Sequence, residues 1–501
     1  MDAHHPRTPL EKEWHGVARY QPMTEDSIMR RTVFISIILT LAVSSSALSQ
    51  YNHWFLDKTL RVDVYHTGTK GQETISLNQV YQEGEWPGTR TQLLDPLGLG
   101  EYLMRVFDVA SAQLIFSRGY SAFFNEWQTT DEAMAGITRT FHETVRFPYP
   151  KNPVQVTISR RDKQMVFHEI FSTTIDPKSP TQIHKEAHAP SFKVTKIVDN
   201  GGPENKVDLL ILPDGYTKSD MEKFHNDAKH LSDVLLGTSP FKERKKDFNV
   251  WIIDVESRQS GIDIPDKNEW KDNALGTTYN TFGSARYALT EENRIIRDIA
   301  SAVPYDAIAI LLNDSRYGGG GIYNLYETTY TGEKVKGQEW QTDYMFVHEF
   351  GHSFGGLGDE YYTSQVSYND FYSKGIEPWE PNLTALNDPE NLKWKDLVSK
   401  GTLLPTPWDK PKYDSLESIR GKLDRLAADY YQKREPILRQ EQTIMENPQL
   451  VGKVGAFEGA GYVSKGVYRP ALDCRMFSLS LVGFDPVCSA AIERVIDYYT
   501  K

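Results

Sequence analysis

The sequence contains 501 residues, of which 39% are hydrophobic and 25% charged, and its net charge is −12. This composition is that of folded globular domains, and it excludes collagen-like, coiled-coil and intrinsically disordered chains. An acidic chain has no general electrostatic attraction for nucleic acid or anionic lipid, so we expect neither as a partner. The chain has two cysteines, which excludes a disulfide-framework miniprotein and a four-cysteine zinc ribbon.

The first fifty residues contain the pattern of a secretory signal peptide. A basic start at residues 29–31 precedes an apolar run over residues 32–43, and small residues follow it. The run is shorter than the about 20 residues of a membrane-spanning helix, although an uncleaved anchor is the alternative. The pattern predicts a signal peptide at residues 29–49 and a non-native upstream extension at residues 1–28. We therefore expect a secreted or periplasmic protein without a stable membrane span after cleavage.

After the predicted signal peptide the pattern is that of β-strands. Apolar and polar residues alternate over residues 60–66, 114–116 and 154–158, and Gly, Asn and Pro separate these runs at turn-like intervals. Short alternating runs of this kind are typical of a β-sandwich. The sequence predicts an all-β, sandwich-like domain at residues 50–180, with no cluster of catalytic residue types. A polar linker is predicted at residues 181–195.

Beyond the linker, strand patterns alternate with helix patterns, which indicates an α/β layer structure for residues 196–501. The predicted elements are, in chain order, a strand at 207–212, a helix at 218–236, a strand at 248–253, a helix at 291–302 and a strand at 307–312. We also expect a charged helical pair, interrupted near Pro436, as a surface insertion at residues 414–446.

Residues 348–352 carry a His-Glu-x-x-His pattern that is typical of a zinc site. On a helix, His348 and His352 lie on one face and can bind a single Zn²⁺ at about 2.0–2.1 Å. Glu349 projects beside them, where its carboxylate can take a proton from a water made acidic by the metal. The alternative is a helix with two core histidines and a surface glutamate. Apolar residues at 344–347 and the helix stop at Gly355-Gly356 favour the zinc site.

A catalytic zinc needs a third protein ligand, and Asp359 is the nearest side chain that can supply one. It is the first residue after the helix stop that offers an oxygen to the metal. Glu360 is the next candidate, and Asp370 and Glu377 lie further along the chain. Asp359 and Glu360 can also be read as solvated loop residues or as hydrogen-bond partners of a ligand histidine.

The stretch from His348 to Tyr361 resembles the signature of the IgA-peptidase family of secreted bacterial zinc metallopeptidases. Other stretches that agree with the family are 212–216, 239–241, 248–251, 457–462, 468–470 and 474–476. The resemblance implies a metzincin-like zinc metallopeptidase domain with an N-terminal β domain before it. It further implies endopeptidase activity on a protein or peptide substrate, with His348 and His352 as zinc ligands and Glu349 as general base. It does not imply that immunoglobulin is the substrate, because specificity depends on loops rather than on the fold.

The resemblance also assigns a role to Met476, as the methionine of the turn beneath the zinc site. Some metzincins carry a tyrosine ligand two residues after this methionine, and here that position is Ser478, so the feature is absent. The metzincin pattern would place the third ligand at Gly358, which has no side chain, and this leaves Asp359 one residue later.

Cys474 and Cys488 enclose a short loop around this turn. In an oxidising compartment we expect a disulfide between them, worth about 3 kcal/mol for a loop of this size. Two buried thiols are the alternative.

Two features leave alternatives open. The glycine run at residues 318–321 lacks the Gly-Lys-Ser/Thr ending of a phosphate loop. The strand after it is either an exposed edge that pairs with an extended peptide or part of a surface loop. The function also has two rivals to a zinc endopeptidase, namely a catalytically silent binding protein and a zinc hydrolase that acts on glycan or amide linkages.

Overall fold

The computed structural model describes residues 50–185, 192–332, 340–363, 371–423, 429–479 and 482–501. The predicted upstream extension, the signal peptide, part of the linker and Asp370 lie outside these residues. Residues Tyr51–Lys501 belong to one unit. Within the described ranges, every helix is too short or too polar to cross a bilayer.

The N-terminal region is a β-sandwich that also contains short helices. Its strands are β1 (Phe55–Thr69), β2 (Gln72–Gln82), β3 (Tyr102–Asp108), β4 (Leu114–Tyr120), β5 (Arg139–Pro150), β6 (Val154–Arg161), β7 (Phe167–Ile175) and β8 (Ile183–His184). They form two four-stranded sheets in the orders β5-β1-β2-β8 and β4-β3-β6-β7. Buried residues of both sheets, among them Val62 and Val106, share one core. The predicted sandwich-like architecture is therefore confirmed, and the three predicted strand segments lie within β1, β4 and β6.

Helices α1 (Phe123–Trp127) and α2 (Asp131–Met134) interrupt the strands of this region. Their buried side chains, including Phe124 and Trp127, belong to the same hydrophobic cluster as Leu212 of the following region. The two regions therefore share a core, and the first one supports the second directly.

The C-terminal region contains a six-stranded mixed sheet and a hairpin. The strands of the sheet are β9 (Val194–Val198), β10 (Val207–Asp214), β11 (Phe248–Ile253), β12 (Ala307–Leu312), β13 (Gly319–Ile322) and β14 (Tyr326–Tyr330). Their order is β13-β14-β12-β10-β11-β9, with parallel pairs in the centre and an antiparallel strand at each edge. The hairpin pairs β15 (Phe457–Ala460) with β16 (Val463–Arg469).

Helices cover both faces of this sheet. The helices are α3 (Met221–Leu235), α4 (Asn293–Ala300), α5 (Trp340–Ser353), α6 (Lys410–Gly421), α7 (Tyr430–Met445) and α8 (Pro486–Thr500). Leu209 and Ile211 of β10 face the core that contains side chains of α3, α5 and α8, whereas Leu210 and Leu212 face the cluster that contains α4. This burial on both faces explains why the central strands read as continuous apolar runs. All five strand and helix predictions for this region are confirmed.

The predicted interruption near Pro436 is wrong, because α7 continues through this residue. A proline inside a helix removes one backbone hydrogen bond. Ile437, Ile444 and Met445 of the same helix are buried in the large core of the C-terminal region. Their packing maintains the helix across the proline.

His66 joins the sandwich to the shared core. Its ring is buried, with Nε2 2.8 Å from Glu73 Oε2 and Nδ1 3.1 Å from Glu143 Oε1. The ring stacks on Phe124 with 3.9 Å between ring centroids. Burial alone would lower the pKa of the imidazole, but the charges and hydrogen bonds of Glu143 and Glu73 outweigh burial and raise it to about 9.

We expect the stability of the protein to depend on the protonation of His66. A pKa raised from 6.5 in the unfolded chain to about 9 in the fold gives stabilisation that is complete below pH 6.5 and is lost as the pH rises through about 9. The free energy of unfolding should therefore fall by up to about 3 kcal/mol across that window. Urea unfolding at a series of pH values measures this, and His66→Gln should remove the dependence.

The matched control is His168→Gln, because His168 is also paired with a carboxylate, that of Asp162, but its side chain is 62% exposed. Exposed pairs contribute little to stability, so this variant should keep the wild-type profile. A His66→Gln profile with the wild-type slope would show that other groups cause the pH dependence.

Candidate metal centre

Helix α5 carries the His-Glu-x-x-His pattern and is fixed by its apolar face. Phe346, Val347 and Phe350 are fully buried in the core beneath the sheet, and the Phe350 ring lies 5.5 Å from that of Phe241, centroid to centroid. The opposite face of the helix borders a large cleft. Because residues four apart share a helix face, His348 and His352 point together into that cleft.

The side chains of His348, His352 and Asp359 converge on one point. The two Nε2 atoms lie 3.2 Å apart, and Asp359 Oδ1 is 3.1 Å from His348 Nε2 and 3.2 Å from His352 Nε2. A tetrahedral zinc with bonds of about 2.0–2.1 Å needs its ligand atoms about 3.3 Å apart. The three atoms therefore match the spacing of three zinc ligands, and all three residues line the cleft.

Backbone carbonyl groups orient both histidines. His348 Nδ1 lies 3.0 Å from the carbonyl oxygen of Arg475, and His352 Nδ1 lies 2.6 Å from that of Leu357. An Nδ1–H group that donates to a carbonyl oxygen leaves the lone pair on Nε2. Both Nε2 atoms thus face Asp359.

Asp359 is held by one oxygen and exposes the other to the histidines. Its Oδ2 accepts a 2.6 Å hydrogen bond from the Tyr462 hydroxyl. No donor in the described part of the chain is in hydrogen-bonding geometry with Oδ1, although the residue is buried. A buried carboxylate oxygen without a donor is costly, and a cation at this point would satisfy it. The residues present therefore fit a zinc ion.

The electrostatics of the three side chains also favour a cation. Burial opposes the charge of Asp359, but the adjacent His352 and His348 hold the pKa of its carboxyl group well below the usual range. Burial would lower the pKa of His352, and the charges of Asp359 and Glu349 outweigh it and raise that pKa to about 10. Positive charge between these groups is stabilised whether a proton or a metal ion carries it.

The alternative third ligands lie elsewhere. Glu360 is fully buried, and its Oε1 accepts a hydrogen bond from Asn382 Nδ2 instead of facing the histidines. Glu377 Oε2 accepts hydrogen bonds from the hydroxyl of Thr384 and the backbone N–H of Ala385. The structure thus brings Asp359, and neither glutamate, to the two histidines.

Glu349 lies in the cleft next to the histidines in sequence, and Met476 packs against α5. Glu349 is half-buried and lines the cleft, where desolvation raises the pKa of its carboxyl group and the two histidines oppose that rise. Met476 is fully buried, and a Cβ atom added at Gly351 would lie 3.1 Å from its Sδ. Met476 therefore packs against α5 in the turn between the two histidines.

The cleft has a volume of about 1720 Å³ and is lined by both regions of the chain. Arg160 and Arg161 of β6 contribute to it, together with Arg286 and Tyr361. No sequence pattern assigned a role to any of the four, or to Tyr462. Tyr361 is the last residue of the signature stretch, whereas the three arginines and Tyr462 lie far along the chain from the motif and are brought to the cleft by folding.

The glycine run forms an edge strand that packs closely on α5. Strand β13 lies at the end of the sheet and pairs with β14, and both Gly319 and Gly321 line the cleft. A Cβ atom at Gly319 would lie 2.8 Å from Met345 Sδ, and one at Gly321 would lie 2.4 Å from the carbonyl oxygen of Glu349. The absence of side chains allows the strand to approach the helix. The glycine run is itself the edge strand, whereas the prediction concerned the strand after it, which is the internal strand β14.

Cys474 and Cys488 are two buried thiols in the structure. Their Sγ atoms lie 3.8 Å apart, which is contact distance and not a covalent bond. Of the two alternatives drawn from the sequence, the structure therefore contains the pair of thiols and not the disulfide.

Comparison with protein families agrees with this architecture. The profile of the family described as IgA Peptidase M64 matches residues 195–496, and the profile described as Peptidase M64 N-terminus matches residues 50–172. A search of curated proteins gave no match. The two profiles, matched in this order, identify the protein as a peptidase. The chain belongs to the IgA peptidase M64 family, as the resemblance of its signature predicts.

We expect Gly321→Ala to destabilise the protein, because the new methyl group would collide with the backbone of α5 at Glu349. Forcing an extra carbon into a packed site costs about 1–3 kcal/mol of the free energy of unfolding. Thermal or urea unfolding measures the loss. The matched control is Gly421→Ala, where a Cβ atom meets nothing within 4 Å and the helical position favours alanine. Equal stability of the two variants would contradict the close packing of β13 on α5.

Proposed function

We propose that this member of the family is an exported, zinc-dependent endopeptidase with a metzincin-like catalytic domain. In this proposal His348, His352 and Asp359 hold one catalytic zinc ion and Glu349 is the general base. The observation that carries the proposal is the convergence of three ligand atoms at 3.1–3.2 Å within a cleft of a peptidase-family chain. Two imidazoles and a carboxylate are a donor set that suits zinc.

When bound, zinc supplies Lewis-acid chemistry: it polarises a carbonyl oxygen and makes a water molecule more acidic. Glu349 takes the proton of the attacking water and returns it to the leaving amine, which is the role of a general base that later becomes an acid. Its raised pKa suits both steps, because a carboxylate in water is too weak a base to hold the proton. Arg286 lies 3.5 Å from the Tyr361 hydroxyl in the same cleft, where its charge can stabilise an oxyanion.

Two further features support a peptide substrate. The cleft has a volume of about 1720 Å³, and Gly319 and Gly321 of the edge strand β13 line it. The N–H of Gly319 donates to the carbonyl oxygen of Arg286, so the part of the edge at Gly321 is the candidate for binding. In this proposal a peptide adds to the edge of β13 as a further strand, through backbone hydrogen bonds that do not depend on sequence. An endopeptidase needs this kind of binding on both sides of the cleaved bond.

Export is proposed from the sequence pattern at residues 29–49 alone. N-terminal sequencing of the protein from the extracellular or periplasmic fraction tests it, and a start near Gln50 is the expected result. The rivals to an endopeptidase are tested by activity. A silent binding protein would cleave nothing, whereas a hydrolase of other bonds would release glycan or amide products and leave a peptide library intact.

Glu349→Gln should lower the rate of peptide cleavage by about 10²–10⁴-fold, because the amide keeps the shape of the side chain but cannot accept a proton. The zinc content should be unchanged, since Glu349 is not a ligand in the proposal. Cleavage of a peptide library gives the rate, and elemental analysis gives the metal. Glu390→Gln is the control, because Glu390 is 84% exposed and outside the cleft. If Glu349→Gln cleaves peptides at nearly the wild-type rate, Glu349 is not the general base.

Asp359→Ala should release the same amount of zinc as His352→Ala, since each removes one of three protein ligands. Tyr462→Phe is the matched comparison, because it removes only the hydrogen bond to Asp359 Oδ2. Loss of such a supporting contact weakens metal affinity by about 10–100-fold without abolishing binding. Competition with a chelator measures the three affinities. If Asp359→Ala retains zinc as tightly as Tyr462→Phe does, Asp359 is not the third ligand.

A further inference from the structure

A second group of potential metal ligands lies next to the first, since its Glu360 directly follows Asp359 in the chain. Glu360, Cys474, Asp485 and Cys488 are all buried, and one ligand atom of each lies within 4.8 Å of the others. None of the four belongs to the proposed catalytic centre. Two thiols and two carboxyl groups, all buried, are an unusual cluster for a protein core.

The spacing of the sulfur atoms matches a tetrahedral metal site. Zinc–sulfur bonds of about 2.3 Å at a tetrahedral angle place two sulfur atoms about 3.8 Å apart. The Sγ atoms of Cys474 and Cys488 are 3.8 Å apart, and Cys488 Sγ is 3.2 Å from Glu360 Oε1. A single ion at the centre would therefore contact both sulfur atoms and the Glu360 carboxylate after small side-chain adjustments.

Each carboxylate of the cluster has one oxygen anchored by the fold and one oxygen without a donor. Glu360 Oε1 accepts from Asn382 Nδ2 at 2.9 Å, and Asp485 Oδ1 accepts from the backbone N–H groups of Val487 and Cys488 at 2.7 and 3.0 Å. Among the described residues, no hydrogen-bond partner reaches Glu360 Oε2 or Asp485 Oδ2, and both atoms are buried. Buried oxygens of this kind are rare unless an ion or a water satisfies them.

We propose that Glu360, Cys474, Asp485 and Cys488 form a second, structural zinc site. Thiolate ligands select zinc over magnesium or calcium, and four protein ligands leave no open position, which is the character of structural rather than catalytic zinc. On binding, each thiol releases its proton to solvent and becomes a thiolate ligand. The proposal does not depend on the proposed function, because it uses none of the catalytic ligands.

Such a site would stabilise the two chain segments that position the proposed catalytic ligands. Glu360 directly follows Asp359, and its backbone N–H donates to the carbonyl oxygen of Met476 at 2.8 Å. Cys474 directly precedes Arg475, whose carbonyl oxygen orients His348. One ion would therefore fix the loop of the third ligand and the turn beneath the histidines, and would attach both to the start of α8.

Elemental analysis of the full chain, purified with zinc and then dialysed against buffer without metal, tests the proposal. We expect two zinc ions per wild-type chain, one in the double variant Cys474→Ser/Cys488→Ser, and one in His352→Ala. A single zinc in the wild type that His352→Ala removes would overturn the proposal. Two ions in both wild type and His352→Ala would refute the proposed catalytic site and leave the second site standing.

Cobalt substitution of the wild type keeps the proposal testable where the cysteine variant fails to fold. Cobalt bound by thiolates shows a sulfur-to-metal charge-transfer absorption that a site of histidines and a carboxylate lacks. We expect this absorption in the wild type and in His352→Ala. Its absence from both would overturn the proposal, as would a wild-type chain that shows no titratable thiol after denaturation without reductant, which identifies a disulfide.

Discussion

The hydrogen bond from the backbone N–H of Glu360 to the carbonyl oxygen of Met476 connects the two halves of the site. It fixes the returning chain after α5 against the turn that contains Met476. Adjacent residues of a non-helical chain project to opposite sides, so Asp359 faces the histidines while Glu360 faces the cysteines. A shift of one residue at this contact would exchange the two carboxylates and disrupt both clusters.

The glycines of the signature allow the chain to make this reversal. Gly356 has φ of +64°, a conformation that side chains disfavour, and it follows the last turn of α5. At Gly358 a Cβ atom would lie 2.5 Å from Cδ1 of the buried Leu383, so a side chain there would require Leu383 to shift. The position where the metzincin pattern would place a ligand is thus crowded, and Asp359, one residue later, reaches the histidines.

The parts of this site that the sequence predicts are those encoded locally. The helix period brings His348 and His352 together, and short reach after the helix indicates Asp359. No local pattern predicts the carbonyl oxygen of Arg475 or the hydroxyl of Tyr462, since both residues are more than 100 positions from the side chains they contact. Every residue also has a backbone carbonyl group, so residue type does not reveal which carbonyl orients a histidine. The same limit applies to Arg160, which reaches the cleft from the N-terminal region, where the sequence shows no cluster of catalytic residue types.

Strands and helices were predictable for a similar reason, whereas Pro436 was not. The apolar runs of β10, β11 and β12 follow from burial on both faces, which a local pattern expresses directly. The effect of Pro436 depends on the tertiary packing of its helix, which outweighs the local preference. The contact between Glu360 and Cys488 likewise depends on the direction in which the Glu360 side chain points after the chain turns back from α5. The spacing of the two residues along the chain does not predict that direction.

The adjacency of Asp359 and Glu360 also has a thermodynamic consequence for the two proposed metal sites. An ion at the cysteine cluster would order the same loop that presents Asp359. The binding of the first ion, at either site, would therefore carry the entropy cost of ordering that loop. The second ion would then bind more tightly, and by linkage the coupling must be equal in both directions. The catalytic centre of such a chain would gain affinity from a metal that never contacts the substrate, and that gain would vanish with the loss of either thiolate.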